Sequence, residues 1–263
     1  MPLLQDYFTD QNYTLKDGQI SPNKLWKSMY NGYGVIGVRN ISLPSSTRSS
    51  LEIGKVMYMA PRQVTSPNNT SACLLLSQQT FKDFEANFYM RTLSHTRKNT
   101  KPKNWETAWF MFRYTDLLPN GKTEDKHHHY YFYIAKNGMI EIGKKDYVVF
   151  PNGLITPDGV KHEGVDQEQQ QYLTTEPKVT FGLKKWFKIK LICKGSNIKL
   201  WVDDVLKADI TDDGKIGEDQ LTRKKPIGYP ASDIMLSGKI GLYCEDSAVE
   251  FDNISVKSIT LQF

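Results

Sequence analysis

Residues 105–145 decide the fold: WETAWFMFRYTD runs from Trp105 to Asp116, and after a polar loop HHHYYFYIAKNGMIEIGKK runs from His127 to Lys145. Successive side chains on a strand point to opposite sides of the sheet, so each run can be split by parity. In Ala108–Tyr114 one parity holds Ala108, Phe110, Phe112 and Tyr114, a core face, and the other holds Trp109, Met111 and Arg113. In His129–Lys136 the even positions Tyr130, Phe132 and Ile134 continue the apolar face, with His129, Tyr131 and Tyr133 opposite. In the third run Ile140 and Ile142 oppose Met139, Glu141 and Gly143. Paired as antiparallel neighbours, the three runs put Trp109, Arg113, His129, Tyr131, Tyr133 and Glu141 on one surface. Rings and hydrogen-bonding groups gathered there suit a polar, ring-shaped ligand. The competing reading is that half-exposed strands carry aromatics for packing reasons alone.

The rest of the chain follows the same grammar, with strand-like runs separated by Gly, Pro, Asn and Asp turns and little helical periodicity. Phe84–Thr92 alternates Phe84, Ala86 and Phe88 against Glu85, Asn87 and Tyr89. Phe187, Ile189, Leu191 and Cys193 form an inward face, and the turn Lys194-Gly195-Ser196-Asn197 leads back into Ile198, Leu200 and Val202, a hairpin with suitable turn residues. Short strands are expected at Val35–Val38, Val56–Ala60 and Ala72–Ser77, and closing strands at Gly238–Cys244 and Val249–Ile259. Two stretches break the pattern, 146–180 with its DQEQQQ run and 212–236, and both are expected as long loops. A single domain over residues 1–263 is expected, all-β, a jelly-roll sandwich of two antiparallel sheets, because such sheets bury one face and leave the other toward solvent.

Composition narrows the function classes. The chain of 263 residues is 39% hydrophobic and 12% aromatic, ordinary for a globular protein. No run approaches the roughly 18 apolar residues of a membrane span. MPLLQDYFTD lacks the basic and apolar regions of a signal peptide, so either the chain is cytoplasmic or a leader precedes it. Cys73, Cys193 and Cys244 sit inside apolar runs with no CxxC spacing and read as buried small hydrophobes. Asn12, Asn40, Asn68, Asn69 and Asn253 begin N-x-S/T triplets, a weak signal in an Asn-rich chain. The net charge of +5 includes a loop, SHTRKNTKPKN at 94–104, with Arg97, Lys98, Lys101 and Lys103 and no acid. That loop favours anionic partners or is simply solvated, and no nucleic-acid-binding motif accompanies it. Of His127-His128-His129 only the first and third share a face, too few for a complete zinc site.

The order of motifs, DYFTD at 6–10, Trp26, DFEANFYMRT at 83–92, AWFMFRYTD at 108–116, HHYYFYIAKNGMIEIGKKD at 128–146, WFKIKLICKGSNIKLWVDD at 186–204 and GKIGLYCEDSAVEFDNISV at 238–256, resembles the concanavalin A-like lectin/glucanase superfamily. Its laminin-G-like and 3-keto-disaccharide hydrolase-like branch is the nearest, over roughly residues 5–260. The resemblance implies carbohydrate chemistry on a concave face, with Arg113 and Tyr131 falling where relatives line that face. It also implies a structural Ca2+, with Asp252 of EFDN as ligand and Asp6 or Asp10 as partner; the alternative is that Asp252 caps a turn or strand end. An extracellular or cell-surface location goes with it, cytoplasmic staying open. The family 16 E-x-D-x-x-E strand is missing, which disfavours retaining hydrolysis.

Three functions compete. The first is binding of a polysaccharide or oligosaccharide, with Trp109, Tyr131 and Tyr133 stacking on rings and Arg113, His129 and Glu141 holding hydroxyls. The second is a polysaccharide lyase on an anionic, uronate-containing glycan, with Arg113 neutralising the carboxylate, Tyr131 or His129 moving the proton and Glu141 in the same catalytic group. The third is a scaffold whose strand edges and loops make subunit contacts.

Overall fold

The computed structural model describes residues 3–9, 11–41, 54–116, 127–149, 154–155, 161–162, 166–174, 178–214, 218–219 and 234–259. In chain order the strands are β1 (Leu3–Asp6), β2 (Tyr13–Thr14), β3 (Trp26–Tyr30), β4 (Val35–Asn40), β5 (Lys55–Ala60), β6 (Ala72–Phe81), β7 (Phe84–His95), β8 (Ala108–Asp116), β9 (His127–Ile134), β10 (Ile140–Val149), β11 (Leu154–Ile155), β12 (Lys161–His162), β13 (Asp166–Thr174), β14 (Phe187–Lys194), β15 (Asn197–Val202), β16 (Val205–Thr211), β17 (Glu218–Asp219), β18 (Gly238–Glu245) and β19 (Ser247–Ser258). One sheet has the order β16-β15-β14-β7-β19-β5-β4-β2, with β1 also on β19, and the second has β17-β13-β10-β9-β8-β18-β6-β3. Neighbours far apart in sequence, such as β8 and β18, are the crossovers of a jelly roll. The all-β sandwich expected from the alternation is the observed fold.

The inward parities of the two sheets meet in one apolar cluster. Phe88 of β7 stacks on Phe110 of β8 with 4.2 Å between centroids, and Phe84 meets Phe112 edge-on at 6.3 Å, so the sheets are joined ring to ring. Each such buried side chain contributes about 1.5–3 kcal/mol. The strand trio of residues 108–145 pairs in the expected order, with Trp109 opposite Tyr133 and Tyr133 opposite Glu141.

Two features differ from the sequence expectation. The β8–β9 register shifts between Phe112 and Thr115, and Arg113 takes φ 54°, in the left-handed region. This bulge exchanges the two parities, so Arg113 points inward and Tyr114 joins the outer face. A Cβ at Gly238 would overlap the Arg113 backbone, which is why β18 begins with glycine there. The other difference lies in 146–180: β10 continues to Val149, and β13 folds back on it from Val149↔Asp166 to Ile142↔Thr174, so part of that stretch is sheet. DQEQQQ is polar at both parities and offers no alternation, yet the open edge of β10 supplies partners for its backbone groups. Residues 150–153, 156–160, 163–165 and 175–177, with 215–217 and 220–233 of the other expected loop, lie outside the described residues.

Candidate functional site

The outer face of the second sheet carries its own apolar cluster, built from Leu74 and Leu76 of β6, Trp109, Met111 and Tyr114 of β8, and Tyr131 and Tyr133 of β9. Trp109 stacks on Tyr133 at 4.2 Å and meets Tyr131 at 5.1 Å and Tyr243 edge-on at 5.5 Å. The rings shield one another, leaving Trp109 6% and Tyr131 0% exposed. Glu141 closes this group from β10, accepting hydrogen bonds from Tyr133 Oη at 2.6 Å and Tyr131 Oη at 3.3 Å. Burial, then the Glu141 charge, pushes the Tyr133 phenol far above its ordinary range, so it stays a donor.

Beside this cluster the same face sinks into a depression of about 130 Å³. Trp109, Met111 and Tyr243 line its middle, Tyr30 and Leu74 one flank, Glu245 one end, and Tyr114, His127, His129 and Lys145 the other. From Glu245 to Gly241 along β18, across to Tyr131, and on to His129 is six residues of strand, about 20 Å at roughly 3.3 Å per residue. Glu245 is half-buried and oriented by two donors, Trp105 Nε1 to Oε1 at 3.2 Å and Tyr243 Oη to Oε2 at 3.2 Å. A carboxylate offers about four acceptor positions. Two are filled by these bonds, so Glu245 can still receive neighbouring hydroxyls.

At the far end Tyr114, His127 and His129 form a ladder of rings, with centroids 5.0 Å from Tyr114 to His127 and 5.1 Å between the histidines. Burial first, then the neighbouring His127 and Lys145 charges, holds the His129 imidazole well below its usual range. His129 is therefore neutral at pH 7, and its buried Nδ1 has no hydrogen-bond partner among the described residues. A neutral imidazole can accept a proton or a hydroxyl hydrogen.

Of the expected surface, Trp109 and His129 line the depression, while Tyr131, Tyr133 and Glu141 stand behind it as a hydrogen-bonded support. Arg113 is not on that surface. Its guanidinium donates to Gly195 O at 2.7 Å, Met235 O at 2.8 Å and Lys82 O at 3.1 Å, and lies 3.5 Å from Asp83, fastening three loops to the end of the core. The placement expected for Arg113 from strand parity is thus corrected, the bulge being the cause. Arg97 of the basic loop is likewise internal, paired with Glu106 at 2.8 Å and with Asp246, whereas Lys103 lies over the Trp105 ring at 5.0 Å.

Asp252 lies on the outer face of the other sheet, close to Asp6, and Asp10 lies outside the described residues. Burial, with the Glu250 and Asp6 charges adding to it, raises the Asp252 carboxyl to about 6 despite the Asn253 N–H bond. Asp6 already accepts from Phe8 N, Asn23 Nδ2 and Trp26 Nε1. Calcium binds through several free oxygens. Among the described residues no group of three or more His, Cys, Asp or Glu gathers to hold a metal.

Sequence reasoning missed Tyr30, Trp105, Tyr114, His127, Lys145, Tyr243 and Glu245. The parity of Tyr243 and Glu245 against Leu242 and Cys244 was a usable signal. Their position beside Trp109 was not, since it depends on the β6-β18-β8 order.

The chain is thus a two-sheet β-sandwich with an aromatic-lined, carboxylate-bearing depression on one outer face. Residues 15–257 match the 3-keto-alpha-glucoside-1,2-lyase-like domain, and the chain belongs to that family. No curated protein matches it. Among solved structures it is similar to the carbohydrate-binding module CBM66 from Bacillus subtilis, at 15% identity over 78% of this chain and 87% of that one, with a TM-score of 0.45. LamAcat from Zobellia galactanivorans gives 12% identity over 97% and 96%, TM-score 0.48. The β-glucanase of Bacillus licheniformis gives 14% over 95% and 100%, TM-score 0.42.

Proposed function

We propose that the protein binds a short oligosaccharide along the depression, outside the cell or at its surface where such glycans are met. The observation that carries this is Glu245, held by Trp105 and Tyr243 at the mouth of an aromatic trough. Tyr243, with the small exposed part of Trp109 beside it, offers an apolar surface to the C–H side of a sugar, Glu245 receives hydroxyls at one end, and His127, His129 and Lys145 offer polar contacts at the other. The test is a glycan array with the wild-type protein and Glu245→Gln and Tyr243→Ala. Retention of one glycan class, weakened at least tenfold in both variants, is expected; equal retention by all three proteins overturns the reading.

A second reading, elimination, is favoured by the family match. In a 3-keto glycoside the ketone acidifies the C2 proton. A base removes it, the electron pair forms C1=C2, and the C1 oxygen leaves with its aglycone. His127 is the imidazole at the trough that can accept this proton, since buried His129 resists protonation, and Lys145 can stabilise the developing enolate oxygen. The product is a conjugated enone, so new ultraviolet absorbance on incubation with 3-keto disaccharides is the readout. The uronate polymers considered from the sequence eliminate by the same logic and give the same kind of signal. Silence with both substrate classes, in a protein that still binds glycan, leaves binding as the function.

A further inference from the structure

Cys73 of β6 and Cys244 of β18 are Cα partners in antiparallel register. Directly opposed residues share a face, and both thiols are fully buried in the inner cluster. Opposed antiparallel residues have Cα atoms about 4.5–5.5 Å apart in either type of pair. A disulfide accepts roughly 4.4–6.8 Å. Cys193 is placed differently, in the other sheet with Phe84 and Ile198 as its cross-strand partners. Both members of the pair are free thiols in the structure, and Cys73 Sγ donates to Asn31 O at 3.1 Å.

We propose that Cys73 and Cys244 are a modification site, forming a cross-strand disulfide when the chain folds in the presence of a small-molecule disulfide oxidant. The Cys73 thiolate attacks a sulfur of oxidised glutathione, giving a mixed disulfide and expelling one glutathione thiolate. The Cys244 thiolate then attacks Cys73 Sγ and expels the second. The pair loses two electrons and two protons, which leave on two reduced glutathione molecules. Once folded, the pair is shielded: burial and then the adjacent Cys73 push the Cys244 thiol well above its usual range, so little thiolate is available. Oxidation therefore belongs to folding and not to the finished fold. The bond would lie beneath the trough, because Leu74, Tyr243 and Glu245, which line it, are the immediate neighbours of the two cysteines.

The test is refolding of the full chain from denaturant in a mixture of oxidised and reduced glutathione, then alkylation with iodoacetamide in denaturant and non-reducing peptide mapping. One linked Cys73–Cys244 peptide and an alkylated Cys193 are expected, and the same link in Cys193→Ser. Folded, reduced protein exposed to the same mixture for the same time is expected to alkylate at all three cysteines. Three alkylated cysteines after oxidative refolding, or a link that includes Cys193, overturns the proposal. Equally fast linkage in the folded protein overturns its assignment to folding.

Discussion

The two outer faces of the sandwich are built from the same alternation and do opposite things with it. On the sheet containing β7 and β14 the outward residues are mostly charged, with solvated pairs at Lys188–Asp204 (2.8 Å), Lys199–Asp209 (2.9 Å) and Lys257–Glu85 (3.2 Å), whose lysines are about half exposed, and a buried pair at Arg91–Glu250. On the sheet containing β8 and β9 the outward residues are stacked rings whose hydroxyls bond to Glu141, with only a narrow trough open beside them. Solvated pairs of the first kind are worth about 0–1 kcal/mol each because water screens them. Rings of the second kind are desolvated by one another and can add a ligand ring to an existing stack. The lesson is that a strand's second parity becomes a site when its side chains exclude water collectively, which single residues do not reveal.

The sharpest way to break this contrast is Trp109→Ala, which removes the ring on which Tyr131, Tyr133 and Tyr243 pack. A loss of about 3–5 kcal/mol in urea unfolding is expected, with loss of glycan retention. Arg113→Met comes next: three loops lose their shared donor, and buried carbonyls are left unpaired, so about 2–4 kcal/mol is expected. Glycan affinity per folded molecule should stay within twofold, because this guanidinium serves the core; a tenfold fall would return Arg113 to the binding surface.

Acid should distinguish the faces too. The folded pKa of His129 is depressed, so above the unfolded value near 6.5 neither state is protonated and its contribution is intact. As pH falls below about 6.5 only the unfolded chain takes up the proton, and stability is lost. Asp252 runs the other way, since its folded value of about 6 exceeds the ordinary 3.8 and favours the folded state as pH falls through that window. Comparing wild type with His129→Gln cancels Asp252. The wild type should lose about 1 kcal/mol more between pH 6.5 and 5.5, read from urea midpoints, and parallel curves would show that His129 is not held neutral. The smallest effect is expected from Lys199→Ala, which should change stability by less than about 0.5 kcal/mol and leave glycan binding untouched.

Much of the fold was legible in the sequence because the inward parities of β7, β8, β9, β14 and β15 are apolar almost throughout, dominated by Phe, Ile, Leu and Val. The site was legible only as a face. Trp109 and His129 were found, and Tyr131, Tyr133 and Glu141 were found as neighbours of the trough, since short-range register fixes all five. Arg113 and Tyr114 were exchanged because the bulge leaves no mark in FRYT; the glycine that accommodates it, Gly238 packed on the Arg113 backbone, lies over a hundred residues away. Tyr243 and Glu245 were missed for the same reason, non-sequential strand order. β13 was missed because its polar run carries no period.

The most direct measurement is a crystal structure of the protein with the glycan it retains most tightly on an array. Sugar rings against Trp109 and Tyr243, with a hydroxyl within hydrogen-bond distance of Glu245, are expected. Sugar seated instead on the charged face, around Trp201 and the lysines of β14 and β15, with the trough holding only water, would contradict the assignment.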